Sequence, residues 1–276
     1  MTWREEPSRA PGRGAVSFAR RGERTILHRA RATSPLKLLT PRNHGHAAWV
    51  VVASFGGGLV DGDALHLEVD VGDGAAGLLG TQASTKVYRC PTSACRQDTR
   101  ARVAEGAILV MIPDPVACYA AARYEQSLRI DLAATASLVL VDAFTAGRSA
   151  RGERWDFHRY AGRTAVDRAG RPLVRDAVVL DPAQGELRAR MGRFDAFATL
   201  VLTGPRAAPL AAAALGSAVP APARRAPLLE ATSPLGDDGA VLRIAGSSIE
   251  EVTRAVRAHL AGLGALLGDD PFARKW

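Results

Sequence analysis

Short stretches of apolar and β-branched residues recur along most of the chain and predict β-strands. Residues 65–71 alternate strictly, with leucine and valine on one face and His66, Glu68 and Asp70 on the other, as in a half-buried strand. Residues 47–55 are apolar almost throughout, which predicts a strand buried on both faces. The other predicted strands are two within residues 15–32 and those at residues 36–39, 75–79, 97–103, 107–112, 124–132, 137–144, 154–167, 171–180, 197–202 and 241–244.

Turn signals separate these strands at intervals of about 8–12 residues, which is typical of all-β proteins. Long helical patterns are missing between the strands, so a βαβ arrangement is excluded. Two helices are predicted, at about residues 206–218, which are rich in alanine, and at about residues 248–267. In the second, apolar residues recur at helical spacing, and Ser248 with Glu251 forms a capping box. A proline- and arginine-rich linker at residues 220–227 lies between them.

The organisation expected from this pattern is a flexible N-terminal arm at residues 1–14 and a single β-rich domain at residues 15–276. The 276 residues are 47% hydrophobic and 23% charged, which is typical of a globular protein. Apolar runs stay well short of the ~20 residues that a membrane-spanning helix needs. The N-terminus has no apolar segment like that of a secretory signal, so a cytoplasmic location is expected.

The formal net charge is +8 and comes almost wholly from arginine, since lysine occurs only at Lys37, Lys86 and Lys275. The arginines are scattered among acidic residues and form no long basic run, so nucleic-acid binding is not favoured. A protein partner with an acidic surface is the better use of the excess charge.

Residues 56–88 combine more glycines and polar groups than any other stretch. The glycine run at residues 56–58 lacks the Gly-Lys-Ser/Thr ending of a nucleotide loop, and a strand follows it rather than a helix. We therefore interpret Gly57, Gly58 and Gly62 as residues of tight turns between packed strands.

Two kinds of chemistry remain open on residues alone. Ser84 beside Lys86 is a candidate nucleophile and base for a hydrolase or transferase, although no nucleophile elbow accompanies them. A metal site is the other possibility, because histidines and carboxylates at a spacing of two share a face of a strand. The residues concerned are His44 with His46, Asp61 with Asp63, and three acids spread along the chain that a fold can bring together, namely Asp63, Asp142 and Glu153.

The three cysteines, Cys90, Cys95 and Cys118, form neither a CxxC motif nor an even disulfide framework. They are interpreted as ordinary reduced thiols.

Five segments, in order and at matching spacing, resemble the UreD family of urease accessory proteins, called UreH in some systems. The resemblance extends over about residues 15–267. The matching residues are Gly57-Gly58-Leu59-Val60-Asp61-Gly62-Asp63, Thr81-Gln82-Ala83-Ser84-Thr85-Lys86-Val87-Tyr88, Pro113-Asp114-Pro115 with Tyr119 and Arg123, Gly147-Arg148-Ser149-Ala150-Arg151-Gly152-Glu153, and a late strand with Gly204-Pro205 before the C-terminal helix.

This resemblance implies a mainly β fold of stacked, solenoid-like (β-helix-like) sheets with about two α-helices near the C-terminus. It implies a scaffold rather than an enzyme. UreD-like proteins dock on the urease apoprotein with UreF and with UreG, a GTPase that carries nickel. The assembly helps nickel reach the urease active site, and a water-filled path through the UreD-like subunit is the implied route.

The resemblance also supplies candidate residues for that path. No tightly bound cofactor is implied, only the transient passage of Ni²⁺, which requires walls that bind a cation weakly enough to release it. The candidate nickel contacts are Asp63, Asp142 and Glu153, and the candidate polar wall or supporting network is Gln82, Ser84, Thr85, Lys86, Arg148 and Arg151.

Overall fold

The computed structural model describes residues 10–217 and 223–273. Their strands are β1 (Gly12–Arg21), β2 (Arg24–Ala32), β3 (Leu36–Leu39), β4 (Ala48–Ser54), β5 (Ala64–Val71), β6 (Ala76–Thr81), β7 (Thr85–Val87), β8 (Cys95–Val103), β9 (Ile108–Ile112), β10 (Val116–Cys118), β11 (Arg123–Leu132), β12 (Ser137–Thr145), β13 (Arg159–Arg168), β14 (Arg171–Leu180), β15 (Ala196–Thr203), β16 (Leu228–Leu235) and β17 (Gly239–Gly246). Their α-helices are α1 (Leu187–Met191), α2 (Ala208–Gly216), α3 (Ile249–His259) and α4 (Leu263–Leu267).

The strands form two sheets, and the chain passes from one to the other as in a solenoid. The outer sheet has the order β14-β13-β11-β8-β5-β1-β2, and the middle sheet has the order β16-β17-β15-β12-β9-β6-β4-β3. Strands β1, β5, β8, β11 and β13 are parallel in the outer sheet, as are β4, β6, β9 and β12 in the middle sheet. The expected fold of stacked, solenoid-like sheets is confirmed.

Antiparallel strands flank both parallel stacks. Strands β2 and β14 form the two edges of the outer sheet. In the middle sheet β3 lies at one edge, and β15, β17 and β16 follow one another at the other. Strands β7 and β10 pair with each other, and β10 pairs with the end of β12, so they extend the stack beyond β6 and β9.

The middle sheet is buried on both faces, and the helices form a third layer against it. Along β12, Leu138 and Leu140 face the outer sheet, whereas Val139 and Val141 belong to a second core that includes residues of α2, α3 and α4. A strand covered on both sides needs no polar face, which explains the continuous apolar runs in this sheet.

The helix predictions are correct in place and differ at their ends. Residue 218 and residues 220–222 of the predicted helix and linker lie outside the described residues. The predicted helix at 248–267 is wrong in its continuity, because α3 ends at His259 and α4 begins at Leu263. Gly262 lies in the break, where a Cβ would come within 2.8 Å of Leu210 Cδ2 on α2.

The capping prediction is half right. Ser248 Oγ accepts a hydrogen bond from the Glu251 backbone N–H at 3.3 Å, as a helix N-cap does. The Glu251 carboxylate instead accepts from the Ser247 hydroxyl at 2.8 Å. In the predicted capping box the Glu251 side chain would bond the backbone N–H of Ser248, whereas here it bonds the side chain of the preceding residue, Ser247.

The ends of several strands also differ from the sequence-based prediction. β1 begins at Gly12, so the last residues of the predicted 1–14 arm are strand, and residues 1–9 lie outside the described residues. β13 begins only at Arg159, because residues 149–157 form a loop in which Trp155 has a φ of 61°. Four of the described elements, namely β7, β10, β16 and α1, are not predicted from the sequence. Three of them, β7, β10 and α1, have five residues or fewer, which is too short to show a periodic pattern. No helix of the described part of the chain is long and apolar enough to cross a membrane.

Candidate functional site

A cavity of about 60 Å³ lies between the outer and middle sheets. Apolar side chains such as Leu67, Leu79 and Leu140 form part of its wall. Its polar lining consists of Thr81, Thr85, Gln97, Thr99, Asp114, Gln126 and Asp142. A cavity of this volume has room for a few water molecules, and its polar side chains are groups that such water could bond.

The polar lining is built by strand alternation and register. Gln126 lies on the same face of β11 as the core residues Tyr124 and Leu128, and it pairs in register with Gln97 of β8. The buried Tyr124 hydroxyl lies 3.2 Å from Gln97 Oε1 and 3.1 Å from Gln126 Oε1, within hydrogen-bonding distance of both. The glutamines therefore form a fixed polar strip within an otherwise apolar core.

Asp142 lies opposite this strip, on the inner face of β12. Its carboxylate accepts hydrogen bonds from Gln126 Nε2 at 3.2 Å and from the Thr164 hydroxyl at 3.5 Å. Within the described ranges it forms no ion pair with Lys, Arg or His. Burial raises the pKa of Asp142, the negative charge of Asp176 adds to this, and the two hydrogen bonds oppose it. A buried carboxylate with only neutral partners can exchange a proton for a metal cation.

A second carboxylate, Asp114, lies in the break between β9 and β10. The Thr81 hydroxyl donates to its carboxylate at 2.9 Å, and the Asp114 backbone N–H donates to that hydroxyl oxygen at 2.6 Å. Pro113 and Pro115 flank it and both lack a backbone donor, so the strand pairing stops at this point. Asp114 and Asp142 therefore contribute acidic groups to one cavity.

Of the candidate nickel contacts, Glu153 is engaged elsewhere. It is ion-paired with Arg148, and its carboxylate also accepts from the Ala120 backbone N–H at 3.1 Å. The Arg148 hydrogen bond is the main reason why the pKa of Glu153 lies below its ordinary value. The Arg148 guanidinium stacks over the Tyr119 ring at 4.2 Å. This network holds the loop after β12, and the candidate Arg151 is exposed beside it.

Asp63 is the other candidate contact and is 4% exposed. Its carboxylate accepts from the Val60 backbone N–H at 2.9 Å, and its own N–H donates to the Val60 carbonyl at 2.9 Å. Asp63 thus closes the turn before β5. Within the described ranges, no group of three or more His, Cys, Asp or Glu is arranged to hold a metal ion. Asp63, Asp142 and Glu153 therefore form no such cluster there, and neither His44 nor His46 belongs to one.

The candidate polar wall at residues 82–86 divides into two groups. Thr85 lines the cavity, whereas Gln82 and Ser84 are exposed. Within the described ranges neither Ser84 Oγ nor Lys86 Nζ makes a hydrogen bond, so the pairing that would activate a serine nucleophile is not formed. Lys86 instead contributes its carbonyl, which accepts from the Leu59 N–H at 2.8 Å.

The three turn glycines serve two different needs. Gly57 and Gly62 have φ angles of 72° and 77°, a region that side chains disfavour. Gly58 is extended, but a Cβ there would lie 2.5 Å from Tyr88 Cε2 and 2.7 Å from the Lys86 carbonyl oxygen. Only Gly58 is needed for close packing of residues 56–60 against β7.

The polar cavity residues that sequence reasoning did not assign to the site are Thr81, Gln97, Thr99, Asp114 and Gln126, and it also missed Thr164, which bonds Asp142. A signal was present for Gln126, since it alternates with Tyr124 and Leu128 and must share their buried face. The register that brings Gln126 beside Gln97 and opposite Asp142 is not visible in the pattern.

Comparison with known proteins gives one consistent result. The family model described as UreD urease accessory protein matches residues 10–276. A urease accessory protein UreD of Sorangium cellulosum is 60% identical over 96% of this chain and 84% of its own length. One from Anaeromyxobacter is 44% identical, covering 98% of this chain and 92% of its own length. Urease accessory protein D of rice (Oryza sativa subsp. japonica) is 34% identical, covering 97% and 96%.

Proposed function

This chain belongs to the UreD family of urease accessory proteins, and from that premise we propose that it is a scaffold for nickel insertion into urease. In this proposal it docks on the urease apoprotein together with UreF and UreG. Nickel is the cargo of the complex and passes through this chain without being retained.

The observation that carries the proposal is the cavity between the sheets. It presents the Asp142 carboxylate with neutral hydrogen-bond donors and no cationic partner among the described residues. Two carboxylates, Asp114 and Asp142, with surrounding hydroxyl and amide oxygens suit brief contact with a hydrated divalent cation. A dense set of histidine or cysteine ligands would hold nickel too tightly for transfer.

Docking is supported by the solvent-facing side of the outer sheet. A groove of about 490 Å³ crosses it, lined by alternating acidic and basic side chains. Arg100 and Arg129 are adjacent in register and exposed, and neither makes a hydrogen bond or ion pair among the described residues. Like charges directly opposite each other are unfavourable, so a partner's carboxylates would relieve this pair.

The test is co-expression of the tagged chain with the urease apoprotein and with UreF-like and UreG-like proteins. We expect tagged chain to capture the partners, and urease nickel content to fall when this chain is omitted. A chain that captures none of these proteins at physiological salt would refute the scaffold proposal. A chain that captures them while urease loads nickel equally well without it would refute the delivery role alone.

A further inference from the structure

Cys90 and Cys95 flank a short exposed loop and meet beneath it. Their sulfur atoms are 3.4 Å apart, and both residues are fully buried. Residues 91–93 of the loop are exposed to solvent. Two thiols in contact at the base of a short loop meet the first geometric requirement for a disulfide.

The remaining contacts of the two thiols are weak ones to backbone carbonyls. Cys95 Sγ lies 3.1 Å from the Val60 carbonyl oxygen, and Cys90 Sγ lies 3.2 Å from that of Tyr88. The Val60 carbonyl also accepts from the Asp63 backbone N–H at 2.9 Å. When Cys95 loses its proton, the Val60 carbonyl therefore still accepts a hydrogen bond from Asp63. Little stability is lost in that step, because a thiol is a weak hydrogen-bond donor.

Asp61 anchors the loop that joins the two cysteines. Its carboxylate accepts from the backbone N–H groups of Thr92 and Ser93 at 3.0 and 2.8 Å, and from the Thr92 hydroxyl. Arg123 donates to the Cys90 carbonyl oxygen at 3.3 Å. A reagent larger than water reaches the thiols only when the loop moves away from Asp61.

We propose that Cys90 and Cys95 are a dithiol modification site that reacts with a low-molecular-weight disulfide to form an internal disulfide. The Cys90 thiolate attacks one sulfur of the reagent, the reagent's S–S bond breaks, and one thiolate leaves. The Cys95 sulfur then attacks Cys90 and displaces the second thiolate. The two cysteines lose two protons and two electrons in total, and the reagent is reduced to two thiols.

The order of attack follows from the environment of each sulfur. The hydrogen bond from Cys95 lowers the pKa of Cys90 below that of an ordinary thiol, although burial and the charge of Asp61 act in the opposite direction. The same interaction and burial raise the pKa of Cys95. Cys90 is therefore the sulfur that forms the attacking thiolate more readily, and Cys95 resolves the mixed disulfide. The product fixes the 91–94 loop beside the segment that contains Asp61 and Asp63.

The test treats the folded full-length chain with oxidised glutathione at neutral pH, followed by alkylation and trypsin digestion. Cleavage after Arg89 and Arg96 releases residues 90–96, which contain both cysteines and no others. We expect this peptide to lose the mass of two hydrogen atoms and to resist alkylation, and a reductant to reverse both changes. Cys118, which is also buried, serves as the internal control and stays alkylatable after denaturation.

Variants test the geometry. Cys118→Ser is expected to oxidise as the unaltered chain does, whereas Cys95→Ser is expected to stop at a glutathione adduct on Cys90. Asp61→Asn is expected to speed the reaction several-fold by loosening the loop without changing the product. The proposal is overturned if peptide 90–96 stays reduced, keeps glutathione on one cysteine as the stable product, or reacts no faster than Cys118.

Discussion

Replacement of Asp142 by asparagine separates the contribution of this residue to nickel transfer from its effect on stability. Asparagine has the same shape, its carbonyl oxygen can accept from Gln126 Nε2, and its amide can donate to the Thr164 hydroxyl. The substitution therefore removes one buried negative charge and keeps both hydrogen bonds.

The expected change in stability follows from two opposing terms. Two hydrogen bonds to a charged acceptor become neutral ones, which costs about 1 kcal/mol each. Relief from burying an ion without a counter-ion is worth several kcal/mol, taken here as about 3–5 kcal/mol. The variant is therefore expected to be about 1–3 kcal/mol more stable at neutral pH, and each kcal/mol raises the Tm by about 2–4 °C in a chain of this size.

The gain should depend on pH in one direction. Because burial raises the pKa of Asp142, folding favours its protonated form. The wild-type stability therefore falls as pH rises from the ordinary pKa of aspartate through the raised value in the folded state. The advantage of Asp142→Asn is expected to be full at neutral pH and to shrink toward acid pH. Denaturant unfolding of both proteins at several pH values measures this.

The functional assay is urease nickel content and activity after co-expression at limiting nickel. We expect a several-fold loss with Asp142→Asn despite its higher stability and unchanged partner capture. Asp237→Asn is the matched control, since Asp237 is exposed in the turn between β16 and β17 and lines neither the cavity nor the docking groove, and it should leave nickel loading unchanged. Normal loading by Asp142→Asn would exclude this carboxylate from the path, and a lower stability at neutral pH would show that its charge is compensated.

Three further predictions address the packing, the docking face and the loop network. Gly58→Ala is expected to lower the free energy of unfolding by about 1–3 kcal/mol through overpacking against the Lys86 carbonyl. A Cβ at Gly57 would meet no atom within 4 Å, so Gly57→Ala is expected to cost only about 1 kcal/mol, because of the positive φ. Equal losses of stability for the two variants in urea unfolding would contradict the proposed overpacking at Gly58. The double variant Arg100→Glu, Arg129→Glu is expected to weaken urease capture at least tenfold without lowering the Tm, as measured by pull-down at several salt concentrations. Unchanged capture would argue against docking through the solvent-facing side of the outer sheet. Because the pKa of Glu153 is lowered in the folded protein, its ionised form stabilises the fold. This contribution to the free energy of unfolding is present above the ordinary pKa of glutamate and is lost as pH falls through the lowered pKa. Glu153→Gln is therefore expected to make the Tm less dependent on pH in the acid range.

The sequence pattern predicts which face of a strand is buried, but it does not predict which strands are neighbours. Alternation along residues 124–132 places Gln126 inward with Leu128, which is correct. The parallel register that brings Gln97 beside Gln126, 29 positions later in the chain, depends on how the coils stack. Hydrophobic periodicity is the same for many such registers, so the cavity itself could not be predicted from the residues.

Local signals failed where tertiary contacts decide the structure. Strands β7 and β10 have three residues each and exist because they pair with each other. The break between α3 and α4 occurs at Gly262, which lies close to α2, although the apolar spacing continues through it. The acidic candidates taken from family resemblance include one residue in the cavity, Asp142, and one in an ion pair, Glu153, and only spatial structure separates them.

The antiparallel strands at the sheet edges have a consequence for self-association. The last strand of a parallel stack has unpaired backbone N–H and C=O groups along its outer edge. Such an edge can pair with a strand of another chain and so extend the sheet. Here the edge strand β2 is largely exposed and rich in arginine. Edge strands β14 and β16 contain Pro172 and Pro234, which lack a backbone donor. The charged and proline-containing edge strands therefore disfavour edge-to-edge association of the solenoid into fibres.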